Sequence, residues 1–161
     1  GEKDRAENVM IVDLMRNDFG AICKPGSVDV PRLLAIESHP GLFHLVSDIT
    51  GKLRSNITWP ELLLNLLPAG SISGAPKSSA LKTIKEIENL KRGPYCGVIG
   101  WVENQRALLS VGIRIFWRTE DSKINFGTGA GITWQSDPSS EWQETALKAK
   151  RLISIAAGDL K

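Results

Sequence analysis

The fold of this chain is decided by residues 95–134, which read YCGVIGWVENQRALLSVGIRIFWRTEDSKINFGTGAGITW. This stretch divides into three runs that are rich in Val, Ile and aromatic residues: Tyr95–Glu103, Ala107–Arg118 and Lys123–Trp134. The runs alternate in part between apolar and polar residues, and short polar turns join them, which is typical of consecutive β-strands. Consecutive strands with such short connections favour antiparallel pairing. The predicted fold class is therefore α+β, with antiparallel β-sheets flanked by helices.

Helices and two further strands are predicted outside this stretch from apolar periodicity, caps and turn residues. Thr58, with Pro60 just behind it, marks one helix start, and Asp137-Pro138 marks another. A Gly/Ser loop is predicted over Ala69–Ala75. The other predicted elements are a helix from Lys3 to about Asp18 with its end at Gly20, strands over Val28–Glu37 and Leu42–Leu53, a helix to Leu67, a helix from Pro76 to about Leu90, and a last helix to about Ala157.

Composition sets broad limits on the class of protein. Of the 161 residues, 42% are hydrophobic and 24% charged, which indicates a globular chain with a core. A net charge of +2 does not favour nucleic acid or an anionic membrane as partner. No apolar run is long enough to span a bilayer, and the opening GEKDRAEN lacks the apolar region of a signal peptide. Cys23 and Cys96 lie far apart, which predicts reduced thiols in a cytoplasmic protein.

Two pairs of acidic residues could bind a metal ion. Glu141 and Glu144 are three residues apart at the start of the last predicted helix, and Asp4 and Glu7 have the same spacing in the first. If the two pairs faced each other, their oxygens would suit a hard cation such as Mg²⁺. The alternative is that all four are solvated side chains, since acidic residues are favoured near helix N-termini by the helix dipole.

Two glycine-rich segments could approach a ligand closely. GSISGAPK at Gly70–Lys77 precedes a helix N-terminus, where free N–H groups suit an anion, but its spacing is not that of a P-loop. GTGAG at Gly127–Gly131 lies along a predicted strand and lacks the dinucleotide-binding register. The alternatives are an ordinary interhelical loop for the first segment and a tightly packed sheet for the second.

Four single residues have both a functional and a structural interpretation. His44 lies in an apolar strand, where a histidine is a catalyst or a satisfied core residue. Arg114 lies in the apolar run after Val111 and needs a partner, either a structural carboxylate or a bound anion. Tyr95 could hydrogen-bond a ligand or simply pack. Lys148 follows Glu144 by four residues, which also fits a surface ion pair.

Taken in order, these segments resemble the chorismate-binding enzymes over nearly the whole chain. The family comprises anthranilate synthase large subunits, aminodeoxychorismate synthase subunits, and isochorismate and salicylate synthases. The segments that carry the resemblance are KDRAEN at 3–8, IVDLMRND at 11–18, HLVS at 44–47, GSISGAPK at 70–77, RGPYCG at 92–97, Ile113-Arg114, GAG at 129–131 and Glu141-x-x-Glu144-Thr145.

The resemblance implies a fold and a place within it. Members of the family form a sandwich of antiparallel sheets with helices outside, and chorismate and Mg²⁺ lie in a central cleft. Residues 1–161 are expected to be the C-terminal part of a single catalytic domain. Because part of a sheet would then be missing, exposed strand edges favour self-association of this fragment.

The resemblance also implies roles for individual residues. Glu7, Glu141 and Glu144 match metal-site glutamates, while Asp4 falls where relatives often have another acid and has a shorter reach. His44 matches a histidine near the reacting side of the ring, with a role in departure of the C4 hydroxyl. Ser71 matches a substrate contact near the enolpyruvyl group. The residues that match the substrate-carboxylate site are Tyr95, Arg114, Gly129, Ala130, Gly131 and Lys148.

Within the family, DRAEN at 4–8 and Pro68–Ser71 look most like the aminodeoxychorismate synthase branch. This implies amination of chorismate to 4-amino-4-deoxychorismate on the route to p-aminobenzoate and folate, with ammonia from a glutaminase subunit. The close alternative is anthranilate synthase, which also releases pyruvate. The lysine motif that defines the first branch lies upstream of Gly1 in the family, so we expect the fragment alone to have little activity. The remaining alternative is a fragment that acts only in binding or assembly.

Overall fold

The computed structural model describes residues 2–40, 42–120 and 122–156, and the side chains of Lys3 and Leu42 lie outside this description. The described helices include none with the length and apolarity needed to cross a membrane. In chain order the elements are α1 Glu2–Ile22, β1 Asp29–His39, β2 Leu42–Thr50, α2 Trp59–Leu66, α3 Gly70–Ser73, α4 Lys77–Ile87, β3 Val98–Glu103, β4 Arg106–Val111, β5 Phe116–Arg118, β6 Ile124–Phe126 and α5 Pro138–Ala156.

Every strand pair among these elements is antiparallel, and helices precede and follow the strands. The predicted α+β class is therefore confirmed. The chain divides into two compact units, Gly1–Ile87 and Glu88–Lys161, and each is described below by itself.

The first unit is built on the long helix α1. It packs on the β1–β2 hairpin and on α2 and α3. The hairpin runs in register from Asp29 opposite Thr50 to His39 opposite Leu42, with two irregularities near Arg32 in β1. The helix is longer than predicted, because it passes Gly20 and continues to Ile22, which is only 1% exposed. Burial of that side chain outweighs the weak helix preference of a single glycine.

The second helical region of this unit follows the predicted signals in part. Thr58 caps α2, since its hydroxyl accepts a hydrogen bond from the Glu61 N–H at 3.4 Å, and Pro60 lies in the first turn. The Ala69–Ala75 segment is not the open loop that was predicted, because Gly70–Ser73 forms a short helix. Gly74 then adopts φ +85°, a value that few residues other than glycine tolerate, and this turns the chain towards α4.

The second unit contains two short hairpins and the last helix. Val98 lies opposite Val111 in the β3–β4 pair, and Phe116 lies opposite Phe126 in the β5–β6 pair. The predicted cap of α5 is confirmed, since the side chain of Asp137 accepts hydrogen bonds from the backbone N–H and the hydroxyl of Ser140, both at 2.8 Å.

All three predicted long strands are wrong in extent. The first begins at Val98 rather than at Tyr95, because residues 95–97 form a turn. The Ala107–Arg118 run is broken after Val111, where Gly112 donates its N–H to Gly97 O at 2.8 Å and Arg114 adopts φ +57°. The last run keeps strand pairing only over Ile124–Phe126, and residues 127–134 leave the ladder. The breaks occur where the backbone packs closely on other segments: a Cβ on Gly112, for example, would lie 2.5 Å from the carbonyl oxygen of Pro94.

Candidate functional site

Within the second unit, Lys148 connects α5 to the glycine-rich segment. Its Nζ lies 2.5 Å from Glu144 Oε1, one helical turn back, and 3.5 Å from the carbonyl oxygen of Gly129. The i,i+4 ion pair expected from sequence is therefore present. The contact with Gly129 is long, but it places the ammonium group beside the backbone of the 129–131 segment. Three of the predicted site residues meet here, from two separate parts of the chain.

Tyr95 packs against the same glycine-rich segment. A Cβ on Gly127 would lie 2.6 Å and 2.8 Å from the two Cδ carbons of the Tyr95 ring and closer still to its Cγ, so the ring occupies the space that a side chain would need. A Cβ on Gly129 would lie 3.3 Å from the Tyr95 hydroxyl oxygen. The packing predicted as one alternative for Tyr95 is therefore present, and the hydroxyl group reaches Gly129, while hydrogen bonding to a ligand stays a prediction. The Tyr95 hydroxyl and the Lys148 ammonium group therefore both lie at Gly129.

The electrostatic surroundings keep the Tyr95 phenol protonated. Burial raises its pKa above the ordinary value of about 10, and interaction with neighbouring Cys96 adds to the rise. The Arg92 guanidinium lies 5.9 Å from the centre of the ring and donates two hydrogen bonds to Glu88, at 2.8 and 2.6 Å. Those bonds lower the pKa of Glu88 and raise that of Arg92. At neutral pH the phenol can therefore donate a hydrogen bond to an anion.

Arg114 and Glu141 differ in burial. The side chain of Arg114 is exposed and has no hydrogen bond or ion pair to any residue within the described ranges, while its backbone is held at φ +57°. Neither a structural carboxylate nor an apolar strand accounts for this arginine there. Glu141 is only 7% exposed in the first turn of α5. A glutamate so buried is unusual for a solvated helix start.

The predicted site residues of the first unit are exposed. Glu7 and Asp4 lie on the surface of α1, and Ser71 lies on α3. His44 is exposed on β2, opposite Glu37 in the hairpin register, with its ring 4.8 Å from that of His39. The side chain of His44 is therefore not that of a core histidine in this structure.

The metal prediction draws on both units, because Glu7 lies in the first and Glu141 and Glu144 lie in the second. Among the described residues, no group of three or more His, Cys, Asp or Glu side chains is placed to hold a metal ion. The donor chemistry fits Mg²⁺, since carboxylate oxygens are the ligands this ion takes from proteins. Binding of Mg²⁺ stays a prediction for the whole protein.

Two polar networks of the first unit were not predicted. In the first, Asn8 on α1 accepts a hydrogen bond from the Ser47 hydroxyl at 2.6 Å and donates one to the Leu45 carbonyl at 3.2 Å. The Ser47 hydroxyl in turn accepts from the N–H of Leu34, which sits at φ +55° in the irregular part of β1. The sequence signal was only that Asn8 and Ser47 belong to the segments that carry the resemblance.

The second network is an ion pair between Lys77 Nζ and Asp18 Oδ2 at 2.6 Å. Asp18 is only 8% exposed, and its Oδ2 atom has no partner that meets hydrogen-bond geometry, so the contact is a charge pair approached at an oblique angle. Lys77 also donates to the Asn65 carbonyl at 3.1 Å. No sequence pattern connects residues so far apart.

Known proteins resemble this chain in sequence and in structure. The sequence profile of the family described as "chorismate binding enzyme" matches residues 1–154. Anthranilate synthase component 1 of Aquifex aeolicus is 42% identical over 154 residues, and aminodeoxychorismate synthase component 1 of Klebsiella aerogenes is 40% identical over 154 residues. The crystal structure of anthranilate synthase component I from Streptococcus pneumoniae superimposes with a TM-score of 0.81 at 38% identity.

These matches cover most of this chain and a minor part of the relatives. The alignments include 94% of the chain but only 31% of the Aquifex protein and 34% of the Klebsiella protein. The superposition likewise covers 94% of the chain and 35% of the Streptococcus structure. The chain thus spans about a third of the length of the relatives it matches.

Proposed function

Because this chain belongs to the family of chorismate-binding enzymes, we propose that the whole protein aminates chorismate to 4-amino-4-deoxychorismate. The observation that carries the proposal is the meeting of the Tyr95 hydroxyl and the Lys148 ammonium group at Gly129. A protonated phenol, an ammonium group and glycine backbone together form a neighbourhood that suits a carboxylate. Chorismate carries two carboxylates, so a site for one of them is what this substrate requires.

In this proposal, one group of residues holds the enolpyruvyl carboxylate of the substrate. Tyr95 donates its phenolic hydrogen bond to the enolpyruvyl carboxylate, and Arg114 offers a planar guanidinium that can hold a carboxylate through two parallel bonds. The backbone of residues 129–131 approaches the same group because glycine leaves room for it. Lys148 adds positive charge at the Gly129 carbonyl, so that a carboxylate rather than a neutral group is favoured there.

Other residues are assigned to the reacting side of the ring and to the metal ion. His44 assists departure of the C4 hydroxyl as a general acid, and Ser71 contacts the substrate near its enolpyruvyl group. Glu7, Glu141 and Glu144 would hold Mg²⁺, which when bound neutralises the ring carboxylate and favours electron withdrawal through the ring. A glutaminase subunit would supply the ammonia.

Amination at C4 is favoured over anthranilate formation by the sequences of segments 4–8 and 68–71, which resemble those of the aminodeoxychorismate synthase branch. Overall identity does not separate the two reactions, because relatives with either name are 40–43% identical to this chain. Anthranilate synthesis with release of pyruvate is therefore the second candidate. A binding or assembly role without catalysis is the third, and it applies to the chain taken alone.

The experiment is to incubate the whole protein with chorismate, Mg²⁺ and ammonium and to identify the product. The proposal predicts a product that the downstream lyase converts to p-aminobenzoate, and none without ammonium. A fluorescent anthranilate product would refute it in favour of the second candidate. Calorimetry of residues 1–161 with chorismate and Mg²⁺ tests the third candidate, since a binding module must give heat of binding without turnover.

A variant pair tests the carboxylate site in the same assay. Lys148→Met should raise the KM for chorismate about tenfold or more, because a charge-assisted bond to a carboxylate contributes roughly 1.5–3 kcal/mol. Lys150→Met is the matched control: it removes an exposed lysine of the same helix that lies one residue beyond the buried Ala149. Equal KM values for the two variants would remove Lys148 from the site.

A further inference from the structure

The Gly70–Lys77 segment contacts helix α1 at both of its ends. At the first end, Gly70 is buried against Leu14, and a Cβ on Gly70 would lie 3.2 Å from both Cβ and Cδ1 of Leu14. At the second end, Lys77 Nζ lies 2.6 Å from Asp18 Oδ2. Leu14 and Asp18 are four residues apart, so both contacts are made by one face of α1. A single helical turn thus sets where the whole segment lies.

The second of these contacts is an ion pair between two mostly buried side chains. The side chain of Asp18 is 10% exposed and that of Lys77 is 24% exposed. Lys77 uses one further hydrogen on the carbonyl oxygen of Asn65, at 3.1 Å. Removing either charge would leave the other one buried without compensation, which is costly, whereas replacing both by neutral side chains is often nearly neutral. The pair therefore behaves as a unit.

The residue placed by this arrangement is Ser71. It follows the Gly70 anchor directly, in the short helix α3, and its side chain is exposed. The turn that carries Ser71 is closed by Gly74 N–H, which donates to Gly70 O at 2.8 Å, and only Ala75 and Pro76 separate Gly74 from Lys77. Movement of Lys77 would therefore move the turn that carries Ser71.

We propose that Lys77 is a positioning residue, which acts through Asp18 to hold Ser71 in place for the substrate. The inference rests on the proposed function, because Ser71 is assigned its substrate contact there. In this proposal Lys77 acts on the substrate only through the segment, since its ammonium group is engaged by the Asp18 carboxylate and the Asn65 carbonyl. Misplacement of a substrate-positioning group by about 1 Å can lower turnover on the order of 100-fold.

The test is a double-mutant cycle in the whole protein, with chorismate consumption as the readout. Lys77→Met should lower kcat about 10- to 100-fold. Asp18→Asn combined with Lys77→Met should recover most of that loss, because no buried charge is left unpaired. If Lys77 contacted the substrate, the double variant would be as inactive as Lys77→Met, and the proposal would be overturned. Lys85→Met, an exposed lysine of the same helix α4, is the matched control and should leave kcat unchanged.

A second cycle asks whether the effect passes through Ser71. In a Ser71→Ala background, Lys77→Met should cost little further turnover, since the group it positions is already absent. Full additivity of the two losses would contradict the proposal. If Lys77→Met does not fold, the double variant Asp18→Asn, Lys77→Met still tests the proposal. Activity of the double variant indicates positioning by Lys77, and its inactivity indicates direct contact with the substrate.

Hydrogen exchange separates failure of this inference from failure of the proposed function. Amides of residues 70–77 should exchange faster in Lys77→Met than in Lys85→Met, whatever reaction the protein catalyses. Unchanged exchange would overturn the anchoring itself. If exchange changes as expected but wild-type protein does not consume chorismate, the assigned chemistry is wrong and the anchoring stands.

Discussion

Replacing Gly127 by alanine should drive the Tyr95 ring out of its place. The added Cβ would lie 2.6 Å and 2.8 Å from the two Cδ carbons of the ring, whereas carbon atoms in contact are normally about 3.5–4.0 Å apart. The ring or the backbone must therefore shift by about 1 Å. Overpacking of this kind costs about 1–3 kcal/mol, and we expect Gly127→Ala to lower the free energy of unfolding by that amount.

The same substitution should have the opposite sign when the ring is absent. In a Tyr95→Ala background the Cβ meets no aromatic carbon, and replacing glycine restricts the unfolded chain, which stabilises a protein by about 0.4–1 kcal/mol. The coupling energy between the two positions is then about 1.4–4 kcal/mol, the first cost added to the second gain. Such a value lies well above the error of a double-mutant cycle.

Chemical denaturation of the 161-residue chain, followed by circular dichroism, would measure all four members of the cycle. Gly20→Ala is a useful control, because a Cβ there meets nothing within 4 Å and should stabilise helix α1 by about 1 kcal/mol. Equal effects of Gly127→Ala with and without the Tyr95 ring would refute the packing described for this segment. The site would then lose the contact that brings Tyr95 to the glycine-rich segment.

Three further outcomes are expected. Because burial raises the pKa of Tyr95, the contribution of Tyr95 to stability should be constant below about pH 10 and fall as pH rises further. If the Tyr95→Phe variant lost as much stability above about pH 10 as the wild-type chain, this expectation would be wrong. Asn8→Ala should cost about 1–2 kcal/mol by denaturation, and Ser47→Ala should cost less in the Asn8→Ala background than alone, since the bond between the two side chains is then already lost and only the bond from Leu34 N–H remains; additive losses would disprove the shared bond. Hydrogen bonds from Ser140 lower the pKa of Asp137, so this cap should stabilise α5 at neutral pH and lose that effect as pH falls. Helicity measured by circular dichroism should show this pH dependence in the wild-type chain and not in Asp137→Ala.

Local sequence signals predicted those elements whose causes are themselves local. The caps at Thr58 and Asp137 were identified correctly because a capping side chain bonds to a backbone N–H three residues away. The β1–β2 and β3–β4 hairpins were predicted from apolar runs joined by short turns, and both are antiparallel. The resemblance to chorismate-binding enzymes was likewise correct, since it depends on residue types in order along the chain.

Prediction failed where a distant segment decides the backbone. The strand through Val111 ends where Gly112 packs closely on the Pro94 carbonyl, and pairing in the last run ends at Phe126, beside the Gly127 that faces the Tyr95 ring. Propensity and alternation describe each residue against its neighbours in sequence, and they contain no information about such approaches.

The sequence by itself determined the fold class and the family, and it predicted a set of candidate site residues. Only the tertiary structure decided that Tyr95 and Lys148 meet at Gly129 in one unit, and it showed in the other unit the pair of Lys77 and Asp18, which had not been predicted. The physical reason is that residue type fixes what a side chain can donate, accept or neutralise. Whether it does so depends on distances of a few ångströms between atoms that lie far apart along the chain.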